Sequence, residues 1–160
     1  MSFSIWQVDL SNGGCVGMCR LPGATGTLNA DLDVIFDWRP DVVVSLTGED
    51  EMAAAGAGAL GARLIAGGIE WIHWPIVDYG EPAGEGANRW PAIRERLIGQ
   101  LGDGKAVLVH CRGGQGRSGM LALRLLVEMG WAPDQALAAL REGVPGAVES
   151  REQMRWATEL

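Results

Sequence analysis

The sequence predicts a three-layer α/β/α domain, in which helices cover both faces of a central, mostly parallel β-sheet. Two short apolar segments rich in β-branched residues, 41–46 and 106–109, have the composition of strands buried on both faces. Segments with helical spacing of apolar residues separate the strands, an alternation typical of parallel sheets. A glycine-rich loop follows strand 106–109 and leads into a helix, which places that loop at the carboxyl edge of the sheet.

Turn residues bound the predicted strands. The first two strands flank the turn Asn12-Gly13-Gly14, which indicates a β-hairpin. A later strand alternates from Glu70 and stops at Pro75, where a loop with two prolines and an acidic residue begins; we call residues 75–82 the acid loop. The predicted strands are residues 4–9, 15–20, 41–46, 70–74 and 106–109.

The helices are predicted from apolar spacing and from residues that start or stop helices. Pro40 fixes the end of the first helix, Pro133 opens a late one, and Ser118 is the expected N-cap of the helix that follows the glycine-rich loop. Trp90, Ile93, Leu97 and Leu101 repeat at helical spacing. The predicted helices are residues 28–38, a helix beginning at 49, a broken helix over 53–65, and residues 87–101, 120–128, 133–141 and 148–159.

Composition restricts the class of protein. The 160 residues are 48% hydrophobic, which excludes disorder and suits one domain over residues 1–160. The net charge of -7 argues against nucleic acid or an anionic membrane as the main partner. No apolar run reaches membrane-spanning length, and the N-terminus lacks a basic-then-apolar signal pattern. Three cysteines without metal-ligand spacing favour the reducing cytoplasm and predict no metal site.

The loop after strand 106–109 carries the residues for chemistry at phosphorus; we call residues 111–116 the cysteine loop. A glycine-rich turn before a helix gathers backbone N–H groups around one point and so binds a tetrahedral oxyanion. Cys111 lies at the mouth of this loop, where the positive field favours a thiolate over a thiol. Arg117 closes the loop with a planar guanidinium that fits two phosphoryl oxygens. These are the parts needed for nucleophilic displacement at phosphorus.

Residues 110–118, with the sequence HCRGGQGRS, resemble the active-site signature of the cysteine-dependent protein tyrosine phosphatases. The resemblance implies a phosphocysteine intermediate on Cys111, with no metal or cofactor, and with phosphate held by Arg117 and the loop. Ser118, next to Arg117, is expected to hydrogen-bond the departing thiolate, a role compatible with helix capping, and His110 is expected to be a buried ring that supports the loop. The loop residues expected to bind substrate are Arg112, Gly113, Gly114, Gln115 and Gly116.

A proton donor for the leaving group is expected in the acid loop. Asp78 is the preferred candidate, because it follows a strand in a loop able to swing over the site. Glu81 and Glu85 are competing donors, and Asp78 could instead only cap a turn.

The wider chain is similar to the cyclin-dependent-kinase-associated branch of the dual-specificity phosphatases, over residues 16–23, 42–47, 73–78 and 146–148. In that branch the acid is an Asp three residues after a Pro, which matches Pro75 and Asp78. The family often places a Gln or Asn on the last segment to position water, where this chain has Glu149, with Gln153 one turn later.

The sequence therefore predicts a phosphatase for phosphate monoesters: phosphotyrosine, with phosphoserine and phosphothreonine also open as substrates. The expected partner is a phosphorylated protein or a small phosphomonoester, and the oligomeric state stays open. A phosphatase for phosphoinositides or other non-protein substrates and a phosphate-binding module without turnover are the alternatives.

Overall fold

A five-stranded mixed sheet forms the centre of the molecule, in a computed structural model that describes residues 2–160. The strands are β1 (Trp6–Asp9), β2 (Cys15–Cys19), β3 (Val42–Ser45), β4 (Glu70–His73) and β5 (Ala106–His110). Their order across the sheet is β1-β2-β5-β3-β4. Only β1 and β2 pair antiparallel, and β5 lies between β2 and β3 in parallel register with both. The predicted hairpin and the predicted parallel centre are both confirmed.

Helices lie between β2 and β5 in the chain and follow the last strand. They are α1 (Leu28–Trp38), α2 (Glu49–Ala54), α3 (Leu60–Ala66), α4 (Gly84–Asn88), α5 (Trp90–Gly102), α6 (Gly116–Glu128), α7 (Pro133–Gly143) and α8 (Arg151–Thr158). The residues of α1 were predicted correctly, and Thr27 caps it by accepting a hydrogen bond from the backbone N–H of Ala30.

Two cores on opposite faces of the sheet produce the three layers. In β3, Val42 and Val44 belong to one core and Val43 to the other, because successive side chains of a strand point to opposite faces. Helices α5 to α8 cover the first face, and α1 to α3 cover the second. Helix α6 is buried along most of its length, so the segment that follows the cysteine loop is anchored in the larger core.

Several helix boundaries differ from the prediction. The segment predicted as one helix over 87–101 divides into α4 and α5. The broken helix over 53–65 divides after α2, where Gly56 adopts φ 70°. The last helix begins at Arg151 and not at 148, because Val148 has φ 66° and Ser150 accepts the capping hydrogen bond from Gln153 N.

Candidate active site

The cysteine loop joins the end of β5 to the start of α6 and forms the floor of a cavity at the carboxyl edge of the sheet. Cys111 is buried, with 2% of its surface exposed, and lines this cavity of about 310 Å³. The residues that line it are Asp78, Tyr79, Cys111, Arg112, Gly113, Gln115, Gly116 and Glu149. The structure therefore brings the predicted nucleophile and the predicted acid to one cavity.

Ser118 lies beside the thiol. Its Oγ is 3.3 Å from Cys111 Sγ, in the buried first turn of α6. The prediction that Ser118 is the N-cap of this helix is wrong. Helix α6 begins at Gly116, four residues before the predicted start at 120, with Gln115 at the N-cap position, because the cysteine loop turns directly into the helix. The Ser118 hydroxyl is consequently free of a capping role and faces the sulfur.

Arg117 is held by a carboxylate that the motif does not contain. Its Nη1 donates to Glu51 Oε1 at 2.8 Å and its Nη2 to Glu51 Oε2 at 2.9 Å. Nη1 also donates to the carbonyl oxygen of Ile76 at 3.0 Å. Arg117 is 1% exposed, whereas the Glu51 side chain is 28% exposed. The hydrogen bonds from Arg117 hold the pKa of the Glu51 carboxyl below its usual value. The guanidinium is thus fixed in one orientation before any substrate binds.

One edge of this guanidinium remains available. Within residues 2–160, Arg117 Nε is buried and has no hydrogen-bond partner. It lies 3.6 Å from Oδ1 of Asp78, which lines the cavity. A buried charged donor without a partner is costly unless an anion satisfies it. The Nε edge of Arg117 is therefore suited to an oxyanion that enters the cavity next to Asp78.

His110 is the end of a buried chain of hydrogen bonds. Its Nδ1 lies 3.1 Å from the carbonyl oxygen of Cys111, which can only accept, so Nδ1 carries the proton. Nε2 is then the acceptor in the neutral ring, and the Ser45 hydroxyl donates to it. Trp71 Nε1 donates in turn to Ser45 Oγ at 2.8 Å. These hydrogen bonds fix the tautomer of His110 and orient the backbone carbonyl group of Cys111.

Burial keeps this ring uncharged. His110 is fully buried, and the loss of hydration lowers its pKa to about 4. The neutral ring supports the cysteine loop through its hydrogen bonds. That is the supporting position expected for His110 from the sequence.

Glycine is required at one position of the cysteine loop. Gly114 has φ 75°, and a Cβ there would lie 2.8 Å from the backbone N of Arg20. The backbone N–H of Leu21 donates to the carbonyl oxygen of Arg112 at 3.0 Å, which ties the loop to the segment after β2. Gly114 was expected among the substrate-binding residues, but it packs against this segment and is not among the residues that line the cavity. Arg112, Gly113, Gln115 and Gly116 do line it.

The acid loop places Asp78 at the cavity. Oδ1 of Asp78 accepts a hydrogen bond from the backbone N–H of Tyr79 at 3.0 Å, so the turn-capping contact considered from the sequence is also present. Glu81 and Glu85, the competing acids, are not among the cavity residues. Of the three carboxylates considered, Asp78 alone reaches the cavity.

Tryptophan rings pack at the base of the acid loop. Trp74, directly before the loop, is fully buried and stacks on Trp90 with ring centroids 5.4 Å apart. Trp156 of α8 lies edge-on to Trp90 at 4.8 Å, and the guanidinium of Arg124 covers both rings. Trp74 Nε1 also donates to the carbonyl oxygen of Gly86 at 2.8 Å. The loop is therefore fastened at its beginning and shortly after its end.

The last segment contributes Glu149 to the cavity, close to Gly116 of the cysteine loop. Gln153 is fully buried, and both atoms of its amide group have partners. Its Oε1 accepts from the backbone N–H groups of Glu149 and Ser150, and its Nε2 donates to the carbonyl oxygen of Gly80. Gln153 thus binds backbone groups at the start of α8 and in the acid loop.

Residues 28–160 match a protein-family model described as the Swiss Army Knife protein, DSP-PTPase phosphatase domain. The chain belongs to this family. It is 30% identical over 91 residues to protein tyrosine phosphatase type IVA 3 of Bos taurus, an alignment that covers 57% of this chain and 52% of that protein. The chain thus spans about half the length of this curated relative.

Solved structures support the dual-specificity phosphatase fold. The kinase-associated phosphatase with serine in place of its catalytic cysteine superposes with a TM-score of 0.83 at 25% identity, over 99% of this chain and 94% of that one. The active form of Tk-PTP gives a TM-score of 0.66 at 30% identity, over 88% and 87% of the two chains. The predicted fold and the resemblance to the kinase-associated branch are confirmed. Among residues 2–160, no helix of this phosphatase domain has the length and apolarity needed to cross a membrane.

Several residues of this phosphatase site were not found from the sequence. Glu51 has a local signal, since it lies three residues after Gly48 and accepts its backbone N–H, but that pattern indicates only a helix start. Ser45 and Trp71 are ordinary strand residues by sequence. Tyr79 and Ser150 lie 71 positions apart, and nothing local predicts their contact.

Proposed function

We propose that the chain hydrolyses phosphate monoesters through a phosphocysteine intermediate on Cys111. The observation that carries this proposal is the cavity that holds the Cys111 thiol and the Asp78 carboxylate together, with the unpartnered Nε of Arg117 3.6 Å from Asp78. An incoming phosphoryl group would satisfy Nε and would replace Asp78 as the neighbouring anion.

In the first step the Cys111 thiolate attacks phosphorus. The S–P bond forms, the ester O–P bond breaks, and Asp78 gives its proton to the leaving oxygen. Arg117 and the backbone N–H groups of residues 112–117 hold the equatorial oxygens, and the start of α6 adds its positive end. Because Glu51 already fixes the guanidinium, little reorganisation is needed when charge develops.

In the second step water attacks the phosphocysteine. Asp78 accepts the proton of the water, the S–P bond breaks, and inorganic phosphate leaves. The Ser118 hydroxyl, 3.3 Å from Sγ, donates a hydrogen bond to the departing thiolate. Neither step calls for a metal or a cofactor.

The proposed substrate is a phosphorylated protein, with phosphotyrosine as the main residue and phosphoserine and phosphothreonine as further substrates. Relatives named as tyrosine phosphatases support this class. The rim of the cavity supports it too, since Tyr79, one of the residues that line the cavity, is 61% exposed. An aromatic ring that carries the phosphate would find apolar contacts on this rim.

Hydrolysis of para-nitrophenyl phosphate by the wild type and by Cys111→Ser tests the proposal. Cys15→Ser is the matched control, because Cys15 lies on β2 and not at the cavity. We expect release of phosphate by the wild type and by Cys15→Ser, and none by Cys111→Ser. Binding of phosphate without turnover by the wild type would instead favour the binding module.

A substrate panel ranks the remaining classes. Phosphotyrosine peptides, phosphothreonine peptides and inositol phosphates are compared by kcat/KM at equal ionic strength. A preference for inositol phosphates would overturn the protein substrate in favour of the phosphoinositide alternative.

We also propose that the chain works in a reducing compartment, the cytoplasm. Cys15, Cys19 and Cys111 are all free thiols, and a thiolate nucleophile requires the reduced form.

A further inference from the structure

The tip of the acid loop is hydrogen-bonded to the start of α8. The Ser150 hydroxyl donates to the carbonyl oxygen of Tyr79 at 2.9 Å, and Gln153 Nε2 donates to the carbonyl oxygen of Gly80 at 3.2 Å. These two carbonyl groups directly follow Asp78 in the chain. Two distant side chains thus fix the peptide groups next to the proposed acid.

The loop needs such support because its backbone is strained. Tyr79 has φ 62°, a left-handed conformation that a residue with a bulky side chain rarely adopts. A bond from Gly80 N to the carbonyl oxygen of Val77 at 2.8 Å closes the turn locally. Strain of this kind persists only when the surrounding structure holds it. The hydrogen bonds from Ser150 and Gln153, which lie outside the loop, stabilise this conformation.

The donors on α8 are themselves rigid. Ser150 Oγ accepts from the backbone N–H of Gln153 at 3.2 Å while its own hydroxyl proton goes to Tyr79. The buried Gln153 accepts from the backbone N–H groups of Glu149 at 2.8 Å and Ser150 at 3.2 Å. Just upstream, Arg141 Nε donates to the carbonyl oxygen of Ala147 at 3.0 Å. Both side chains of this junction bond to more than one backbone group, so the start of α8 is a fixed point for the acid loop.

We propose that Ser150 and Gln153 are positioning residues that hold the acid loop closed over Cys111, so that Asp78 is in place before substrate arrives. The proposal rests on the proposed phosphatase function. On this view the loop does not travel to the cavity in each turnover, because α8 keeps Tyr79 and Gly80 docked. Loss of either bond lets the loop open and reduces proton donation to the leaving group.

Ser150→Asp separates this role from helix capping. Aspartate is a good N-cap and still accepts from Gln153 N, but an ionised carboxylate cannot donate to Tyr79. We expect kcat/KM for phenyl phosphate, a poor leaving group, to fall at least about fivefold, the effect of one lost hydrogen bond. For 2,4-dinitrophenyl phosphate, whose leaving group needs no proton, we expect a change below about twofold, within the scatter of such comparisons. Ser150→Thr keeps the hydroxyl and should restore the wild-type ratio of the two substrates.

Gln153→Glu tests the second bond independently. Its carboxylate keeps the acceptor contacts to residues 149 and 150 but has no N–H for Gly80. The same selective loss with phenyl phosphate is expected, and this variant decides the matter should Ser150→Asp not fold. Thr158→Val is the matched control, since the Thr158 hydroxyl lies on the same helix but bonds only to the carbonyl oxygen of Met154.

An equal fall for both substrates, or no change for either, would overturn the positioning role of Ser150 and Gln153. A wild type that hydrolyses neither substrate would instead refute the proposed function, so the two failures are distinguishable. Asp78→Asn serves as the reference for complete loss of the acid.

Discussion

Replacement of Glu51 by glutamine tests how Arg117, the residue proposed to bind phosphate, is held. The variant keeps the size of the side chain and one oxygen acceptor but removes the charge and one of the two hydrogen bonds to Arg117. Arg117 is 1% exposed, so water cannot replace the lost carboxylate oxygen. The buried guanidinium would then be left with the Asp78 carboxylate, 3.6 Å from Nε, as its neighbouring anion.

The size of the effect follows from the burial of the two partners. Removal of one partner of a fully buried ion pair costs about 3–5 kcal/mol. Glu51 is 28% exposed and glutamine still accepts one bond, so we expect a loss of about 2 kcal/mol in the free energy of unfolding. We expect kcat/KM to fall as well, because the guanidinium is no longer fixed before substrate binds.

Urea unfolding and para-nitrophenyl phosphate hydrolysis measure both quantities. Glu70→Gln is the matched control, because both carboxylate oxygens of Glu70 also accept hydrogen bonds from an arginine, here from Nε and Nη2 of Arg96, but that arginine is 55% exposed. An exposed pair contributes about 0–1 kcal/mol, and this one lies away from the cavity. Inorganic phosphate should stabilise Glu51→Gln against unfolding, since a bound oxyanion partly replaces the lost charge.

Equal stability losses in Glu51→Gln and Glu70→Gln would contradict the assignment of Glu51 as the support of a buried cation. A Glu51→Gln variant with wild-type kcat/KM would contradict the argument that a pre-oriented guanidinium matters for catalysis.

Three further outcomes are expected. Asp78→Asn should slow hydrolysis of phenyl phosphate about 100-fold and that of dinitrophenyl phosphate far less, and equal slowing would assign the acid elsewhere. The pKa of His110 is 6.5 in the unfolded chain and about 4 in the folded protein. As the pH drops through the range between these two values, the unfolded state takes up the proton before the folded state does. The free energy of unfolding should therefore decrease by about 3 kcal/mol. His110→Asn, compared by urea unfolding at several pH values, should lack this slope. Gly114→Ala should lower the free energy of unfolding by about 2 kcal/mol or more, because Gly114 has φ 75° and a Cβ there would lie 2.8 Å from Arg20 N. Its control, Gly99→Ala in α5, should raise the free energy of unfolding by about 0.5–1 kcal/mol. Thermal unfolding measures both changes.

The parts of the fold that could be predicted are those that depend on residues close together in the sequence. Strand β5, the cysteine loop and most of α6 follow from a continuous run of apolar, glycine and helix-forming residues. The parallel pairing of β3 with β5 followed from their β-branched composition. Asp78 was chosen because it lies in a loop that follows a strand, and its spacing from Pro75 matched the phosphatase branch that the chain resembles; it lines the cavity with Cys111.

The remaining features depend on contacts between distant positions. Glu51 and Arg117 are 66 positions apart, and Gln153 and Gly80 are 73 apart, so no local pattern marks either pair. The start of α6 was placed too late because serine is a residue type that often caps helices. In the structure the Ser118 hydroxyl contacts the buried sulfur of Cys111 and does not cap the helix. The contact with Cys111 therefore outweighs the preference of serine for the N-cap position.

The indole cluster at the base of the acid loop provides an optical signal for movement of that loop. Three of the seven tryptophans, Trp74, Trp90 and Trp156, are in mutual ring contact, and Trp74 also bonds to Gly86 beyond the loop. Opening of the loop would disturb the stacking of Trp74 and therefore the emission of the cluster. Intrinsic fluorescence, followed in stopped flow while vanadate binds, can thus show whether the loop stays docked or moves in the unlabelled protein.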